Sequence, residues 1–163
     1  MAPDSFRKGL WMIELDYEMT YRETIAGPLP MAQSASSRNQ MCWQIVSGTL
    51  IGPRINARVA MPGMDWMRLD GGTRRADLRV ALVTDDGVGL LFHYDMALIK
   101  ASGLFLAALE NGTGTDWSDQ YMRMVPGFIG ASGKYAWLDE HLFLAQGRLS
   151  GPRQIEYRIF RVL

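Results

Sequence analysis

Apolar side chains on alternate residues constrain this chain more than any other feature. Trp11, Ile13, Leu15, Tyr17, Met19 and Tyr21 share one parity, while Glu14, Asp16, Glu18 and Thr20 take the other. Successive side chains of a strand point to opposite faces, so this period predicts a strand with one buried face. The pattern recurs. Met41, Trp43 and Ile45 open a second strand toward Gly48, and Ile55, Ala57, Val59 and Met61 form a third that ends at Pro62-Gly63. Arg75–Val83 and Val88–Ala97 flank Thr84-Asp85-Asp86-Gly87, and Asp-Gly between two strand-like runs predicts a hairpin. Two more strands are expected around Leu142–Leu149 and Ile155–Val162, turning at Ser150-Gly151-Pro152-Arg153. Arg22–Asn39, with Gly27-Pro28-Leu29-Pro30 and Ser34, Ser36 and Ser37, reads as a long surface loop. Leu104–Leu109 fits either a short helix or a buried strand, which periodicity does not separate.

Many strands, regular turns and at most one short helix predict an all-β fold in a single domain spanning 1–163. A closed antiparallel barrel is favoured over a sandwich because closure removes edges that would otherwise pair with other chains. Lys plus Arg and Asp plus Glu both number 17, and the pI is about 6.7. That balance lacks the basic footprint of a nucleic-acid partner and the polybasic anchor of a membrane-surface protein. Cys42 is the one cysteine, and the polar start Met1–Lys8 has no apolar segment behind it, so a cytoplasmic protein is expected. His93 and His141 are the only histidines and no ligand-spaced pair occurs, so neither a metal nor any other cofactor is expected. No Gly-x-Ser-x-Gly elbow or phosphate-binding glycine loop is present. The 11 Met residues suit an adaptable apolar interior.

The hairpin register yields the first candidate site. If Asp86-Gly87 is a two-residue turn, Arg79 lies opposite Tyr94, Asp77 opposite Met96 and Ala81 opposite Phe92. One face then mixes a carboxylate, a guanidinium and a phenol with apolar surface, as a ligand pocket requires. Asp77 and Tyr94 are the expected proton acceptor and donor, and Arg79 the group that holds an oxyanion. A three-residue loop would instead shift the pairing by one and separate Arg79 from Tyr94. The alternative role of Asp77 and Arg79 is a local ion pair. Asp65 is a second candidate catalytic carboxylate and Trp66 a pocket wall, against a turn cap and a core residue. Arg123, Tyr135 and Trp137 are candidates for the pocket mouth, with Phe92 and Met96 lining its wall.

A resemblance adds to this reading. Pro62-Gly63-Met64-Asp65-Trp66, Asp70-Gly71, Asp77-Leu78-Arg79 and Thr84-Asp85-Asp86-Gly87 are similar to the signature of the family called domain of unknown function 3237. Tyr121-Met122-Arg123, Tyr135-Ala136-Trp137-Leu138-Asp139 and the closing Tyr157–Val162 strand resemble its later motifs. The resemblance implies a closed antiparallel barrel like those of allene oxide cyclase and dirigent proteins, often dimeric, with no assigned activity. Met64, Asp139 and Ala145-Gln146-Gly147 depart from the family pattern, which points to an altered pocket. The functional expectation is a cofactor-independent isomerase, cyclase, dehydratase or related lyase, a homodimer, acting on a small apolar, aromatic or polyketide-like molecule. A non-catalytic small-molecule-binding barrel is the alternative, and a structural protein with a filled interior is the third possibility.

Overall fold

The computed structural model describes residues 13–32 and 39–163, so Trp11, Met12 and the serines at 34, 36 and 37 lie outside the described residues. The strands are β1 (Leu15–Pro30), β2 (Gln40–Gly52), β3 (Ile55–Val59), β4 (Gly63–Asp70), β5 (Thr73–Thr84), β6 (Gly89–Lys100), β7 (Tyr121–Met124), β8 (Gly127–Ile129), β9 (Phe143–Gly151) and β10 (Gln154–Val162). A helix, α1 (Gly103–Asn111), follows β6, and a 3-10 helix at Gly133–Leu138 follows β8. The strands pair antiparallel in the order β5-β4-β2-β1-β10-β9-β7-β6, and β6 pairs back with β5 to close the ring. β3 and β4 share the slot between β2 and β5, one above the other. β7 and β8 divide the length of β6 in the same way. The expected all-β barrel is therefore the fold, and the edges that an open sheet would leave are paired.

Alternation explains which side chains fill it. Leu78, Val80 and Leu82 of β5, Leu90, Phe92 and Tyr94 of β6 and Tyr157 and Ile159 of β10 are buried, while residues between them on β5 and β6 are half-buried or exposed. In β1 the parity of the sequence does not hold throughout. Met19 and Tyr21 are buried, but Ile13, Leu15 and Tyr17 are exposed. The cause is a bulge: Tyr17 pairs with Phe160 and Met19 with Ile159, so Glu18 is an extra residue that reverses the face. Glu18 is itself buried, and ion pairs to Arg54 at 2.8 Å and Arg161 at 3.0 Å satisfy it.

The β5–β6 register corrects the expected pairing. The Thr84 N–H donates to the Val88 carbonyl at 2.9 Å, leaving a three-residue loop of Asp85, Asp86 and Gly87. Gly87 has φ +86, the left-handed conformation such a loop needs. Arg79 consequently pairs with His93, and Tyr94 with Leu78. Arg79 and Tyr94 lie on opposite faces. A bulge places Asp95 and Met96 opposite Asp77, after which Ala76 faces Ala97.

One further segment differs from expectation, and one that the sequence leaves open is decided. β1 continues to Pro30, so Arg22–Pro30 is strand and not surface loop; a register break at Gly27-Pro28 accommodates the proline, which has no N–H to give the ladder. Leu104–Leu109 is helical. The Ser102 hydroxyl accepts from the Phe105 N–H at 3.1 Å, and Gly112 ends α1 at φ +65.

Gly147 of β9 pairs with Tyr157, and a Cβ there would stand 2.5 Å from the Tyr157 ring and 2.7 Å from the Met122 sulfur. Gly147→Ala should therefore lower stability by about 1–3 kcal/mol, the usual cost of overpacking. Gly72→Ala, with nothing within 4 Å of its Cβ, should stay within about 0.5 kcal/mol of wild type. Urea denaturation of the two variants checks this; equal losses would contradict the tight Gly147–Tyr157 approach.

Candidate active site

Inward positions of four strands bring two carboxyl groups into the middle of the barrel. Asp65 of β4 sits in register between Trp43 of β2 and Leu78 of β5, and Leu78 in turn pairs with Tyr94 of β6. The Tyr94 hydroxyl reaches across β5 and donates to Asp65 Oδ2 at 3.1 Å. Glu23 of β1 lies between Gly48 of β2 and Ile155 of β10, two residues from the inward Tyr21. Asp65 is 5% exposed, Glu23 2%, and Tyr21 and Tyr94 are fully buried. Tyr157 stacks on Tyr21 with ring centroids 6.3 Å apart and lies 6.4 Å from the Tyr94 ring; Phe92 packs on Tyr21 at 4.6 Å. The aromatic cluster fixes the phenols and fills the space beneath Asp65.

Above Asp65 the barrel is hollow. A cavity of about 450 Å³ runs from Asp65 and Trp43 to the end of the barrel crossed by α1. Its walls are apolar, with Ile25, Met67, Ile99, Met122 and Phe105 among them, and Arg74, Glu110 and Arg153 stand near its mouth. Several buried polar atoms have no hydrogen-bond partner among the described residues: both Glu23 oxygens, Asp65 Oδ1, the Tyr21 hydroxyl and Trp43 Nε1. Buried polar groups are ordinarily satisfied, and clustered exceptions mark functional ground.

Burial sets the protonation of these groups. It pushes Asp65 up to about 7, partly offset by the Tyr94 hydrogen bond, with the Asp77 charge adding to the rise. Glu23 is pushed up to about 8, first by burial and then by repulsion from Asp65. Tyr21, Tyr94 and Tyr157 are raised well above their ordinary value by burial, so the phenols stay protonated. The two carboxyls titrate as an interacting pair near neutrality. Such a pair can accept and return a proton at physiological pH, as acid–base chemistry requires.

The structure brings together only part of the set expected from sequence. Asp65, Tyr94 and Phe92 are interior. Asp77 and Arg79 form an ion pair on the outside of the barrel, with side chains 45% and 57% exposed, because they alternate with the inward Ala76, Leu78 and Val80, and the three-residue hairpin loop pairs Leu78, not Arg79, with Tyr94. Trp66 and Met96 are 44% and 61% exposed on the same outer surface. Trp66 follows Asp65 on a strand, so when one points in the other points out. Arg123 lies over the Tyr121 ring, 5.0 Å from its centroid. Tyr135 and Trp137 belong to the opposite end from the cavity. The Tyr135 hydroxyl donates to Asp86 at 2.6 Å and, with Lys134 and Thr84, holds that carboxyl well below the usual range. Trp137 carries Arg54 over its ring at 3.6 Å. Glu23, Tyr21, Tyr157 and Trp43 join the site without having stood out in the sequence. The signal for Glu23 is its place on the parity of Tyr21 and Ile25, which reading a loop from Arg22 onward obscures.

The fold and site define a closed barrel with an apolar cavity that ends on buried acid–base groups. A family model described as a protein of unknown function, DUF3237, matches residues 13–162, and the chain belongs to this family. A UPF0311 protein of Clostridium acetobutylicum is 27% identical over 135 residues, covering 80% of this chain and 84% of that protein. Among solved structures, a conserved protein of unknown function from Rhodopseudomonas palustris superposes with a TM-score of 0.83 at 20% identity, covering 94% of this chain and all of the other. A β-barrel-like protein from Acinetobacter baumannii gives 0.77 at 21% identity, covering 96% and 100%. A protein described as an enzyme from Penicillium herquei gives 0.63 at 18% identity, covering 93% and 95%. At these identities the structural likenesses establish the fold.

The raised carboxyls make stability fall as pH rises. An unfolded carboxyl loses its proton near pH 4, whereas folded Asp65 and Glu23 keep theirs to about 7 and 8. Between those limits the unfolded state binds fewer protons, so each group removes about 1.4 kcal/mol of stability per pH unit, most of it before pH 8. Asp65→Asn and Glu23→Gln should each flatten the loss of urea-denaturation stability between pH 5 and pH 8. Slopes equal to wild type would contradict the raised pKa values.

Proposed function

We propose that this protein is a cofactor-independent acid–base enzyme of the isomerase, cyclase, dehydratase or related lyase type. Its substrate is a small apolar molecule, aromatic or polyketide-like, bound in the barrel interior. The observation that carries this reading is Asp65, held by Tyr94, at the floor of a cavity whose walls are mostly apolar. Flexible Met and flat aromatic walls suit a planar ring system, and the volume accommodates a fused bicyclic or tricyclic one. A structural neighbour described as an enzyme is consistent with catalysis in this fold.

The residues divide the work as follows. Ionised Asp65 takes a proton from a carbon next to a carbonyl, and the electrons of the broken C–H bond move onto the carbonyl oxygen as an enolate. The Tyr94 phenol, kept protonated by burial, steadies the carboxyl through its hydrogen bond and fixes its orientation. Protonated Asp65 then returns the proton to another carbon, which completes an isomerisation, or to a departing hydroxyl, which completes a dehydration. Glu23, neutral at pH 7, keeps a second negative charge away from Asp65 while it ionises. The dry walls strengthen each of these electrostatic effects.

Solvent-deuterium incorporation into an enolisable aromatic ketone, 1-tetralone, tests the reaction type whatever the natural substrate is. Wild-type protein should accelerate exchange at the carbon next to the carbonyl, with the rate rising through about pH 7 as Asp65 ionises. Asp65→Asn should lower that rate roughly 10²- to 10⁴-fold. Arg79→Lys, on the outer surface, should leave it unchanged, and Asp77→Asn should move only its pH midpoint, downward. Binding of 1-tetralone with no acceleration of exchange would overturn catalysis in favour of a binding barrel.

A further inference from the structure

We propose that the cavity takes an amphipathic acid: a flat apolar ring system whose far end carries a carboxylate or an acidic phenol, held at the cavity mouth by Arg74 and Arg153. The proposal rests on the reading of the cavity as a binding site and adds the chemical class and orientation of what binds. Arg74 occupies an inward position of β5, in line with Ala76, Leu78 and Val80. Its strand neighbours in register are Leu69 and Ile99, and both line the same cavity. Burial lowers the Arg74 pKa, which measures how poorly its charge is solvated there. Arg74 and Arg153 make no ion pair among the described residues. Arg153 belongs to the β9–β10 turn, at the same mouth.

Charge is thus separated along the cavity, with Asp65 at the floor and guanidinium groups at the mouth. Leu69, level with Arg74, is four residues along β4 from Asp65, roughly 13 Å of strand. A planar oxyanion would find a two-point guanidinium partner at one end, while repulsion from ionised Asp65 keeps it from entering reversed. The substrate's neutral end is thereby delivered to Asp65. Glu110 is the opposing charge at the mouth, and it makes no ion pair among the described residues either. It disfavours a second anionic group there.

Calorimetry with 2-naphthoate, neutral 2-naphthamide and ionised 4-nitro-1-naphthol at pH 7.5 and low salt tests the assignment. Wild type should bind 2-naphthoate at least about tenfold more tightly than 2-naphthamide, the scale of one charge-assisted contact. Arg74→Gln should remove that preference while leaving 2-naphthamide affinity in place, and Arg74→Lys should restore part of it. Arg153→Gln, in an exposed turn, should weaken 2-naphthoate binding without disturbing the fold. The naphtholate shows whether phenolates share the subsite: one that competes with 2-naphthoate and weakens in Arg74→Gln shares it, and one that fails to bind confines it to carboxylates. Equal binding of the amide and both anions would overturn the oxyanion assignment while leaving the cavity as a binding site. Failure of all three to bind wild type would overturn the cavity reading and this proposal with it.

Discussion

Moving a carboxylate out of water costs several kcal/mol unless other groups replace the lost hydration. This barrel does so twice within one interior, at Asp65 and Glu23, and offsets little of the cost, Asp65 accepting from the Tyr94 hydroxyl. The cost is lowered by keeping the groups protonated, and that is what raises their pKa values toward neutrality. Everything else in the interior serves the arrangement. Closure of the ring excludes water from all sides, the cluster of Tyr21, Phe92, Tyr94 and Tyr157 seals the floor, and α1 crosses the open end. A fold selected for stability alone would place apolar side chains at positions 23 and 65, since replacing buried ionisable groups by well-packed apolar ones is often stabilising. The retained carboxyls are therefore the strongest internal sign of function.

The two ends of the barrel do different work. At the α1 end the strands hold a cavity whose walls touch few polar groups. At the other end Asp86, Thr84, Lys134 and Tyr135 satisfy one another, and Arg54 covers Trp137, so polar groups there are engaged in holding turns together. The residues expected at a pocket mouth from their aromatic and charged character, Tyr135 and Trp137, belong to this stapled end. The exposed Asp77–Arg79 pair on the outer wall has one connection to the interior. The Asp77 charge adds to the upward shift of Asp65 on the far side of the sheet. Its effect is on the carboxyl's proton affinity, not through contact with a ligand.

Alternation in the sequence is enough to specify most of the strands and a closed all-β barrel, but not β4: Asp65-Trp66 reads as following a strand end, which puts Asp65 at a pocket mouth, and Phe92 and Tyr94 read as sharing the face of Asp77 and Arg79. It fails where single-residue irregularities shift the count. The extra residue at Glu18 reverses β1, and the three-residue loop at Asp85–Gly87 puts Tyr94 and Phe92 on the face opposite Asp77 and Arg79. A bulge or a loop one residue longer leaves no mark in hydrophobic periodicity, yet it exchanges the two faces of every residue beyond it. Glu23 is hidden for a different reason. Gly27-Pro28 a few residues on reads as loop punctuation, whereas β1 passes through it and continues to Pro30. Cavity and filled core use the same Met and aromatic residues, so the hollow above Asp65 has no sequence signature at all.

The central claim is that Asp65 and Glu23 form a buried pair that exchanges protons near neutral pH. A carbon-13 titration of the side-chain carboxyls in labelled protein measures it directly, with Asp65→Asn and Glu23→Gln assigning the two signals. The account predicts that both carboxyl resonances titrate near pH 7 to 8, and that Glu23 moves down when Asp65 is replaced. Midpoints near pH 4 for both groups would contradict it, because carboxyls that ionise there are solvated and carry no proton to exchange at the cavity floor.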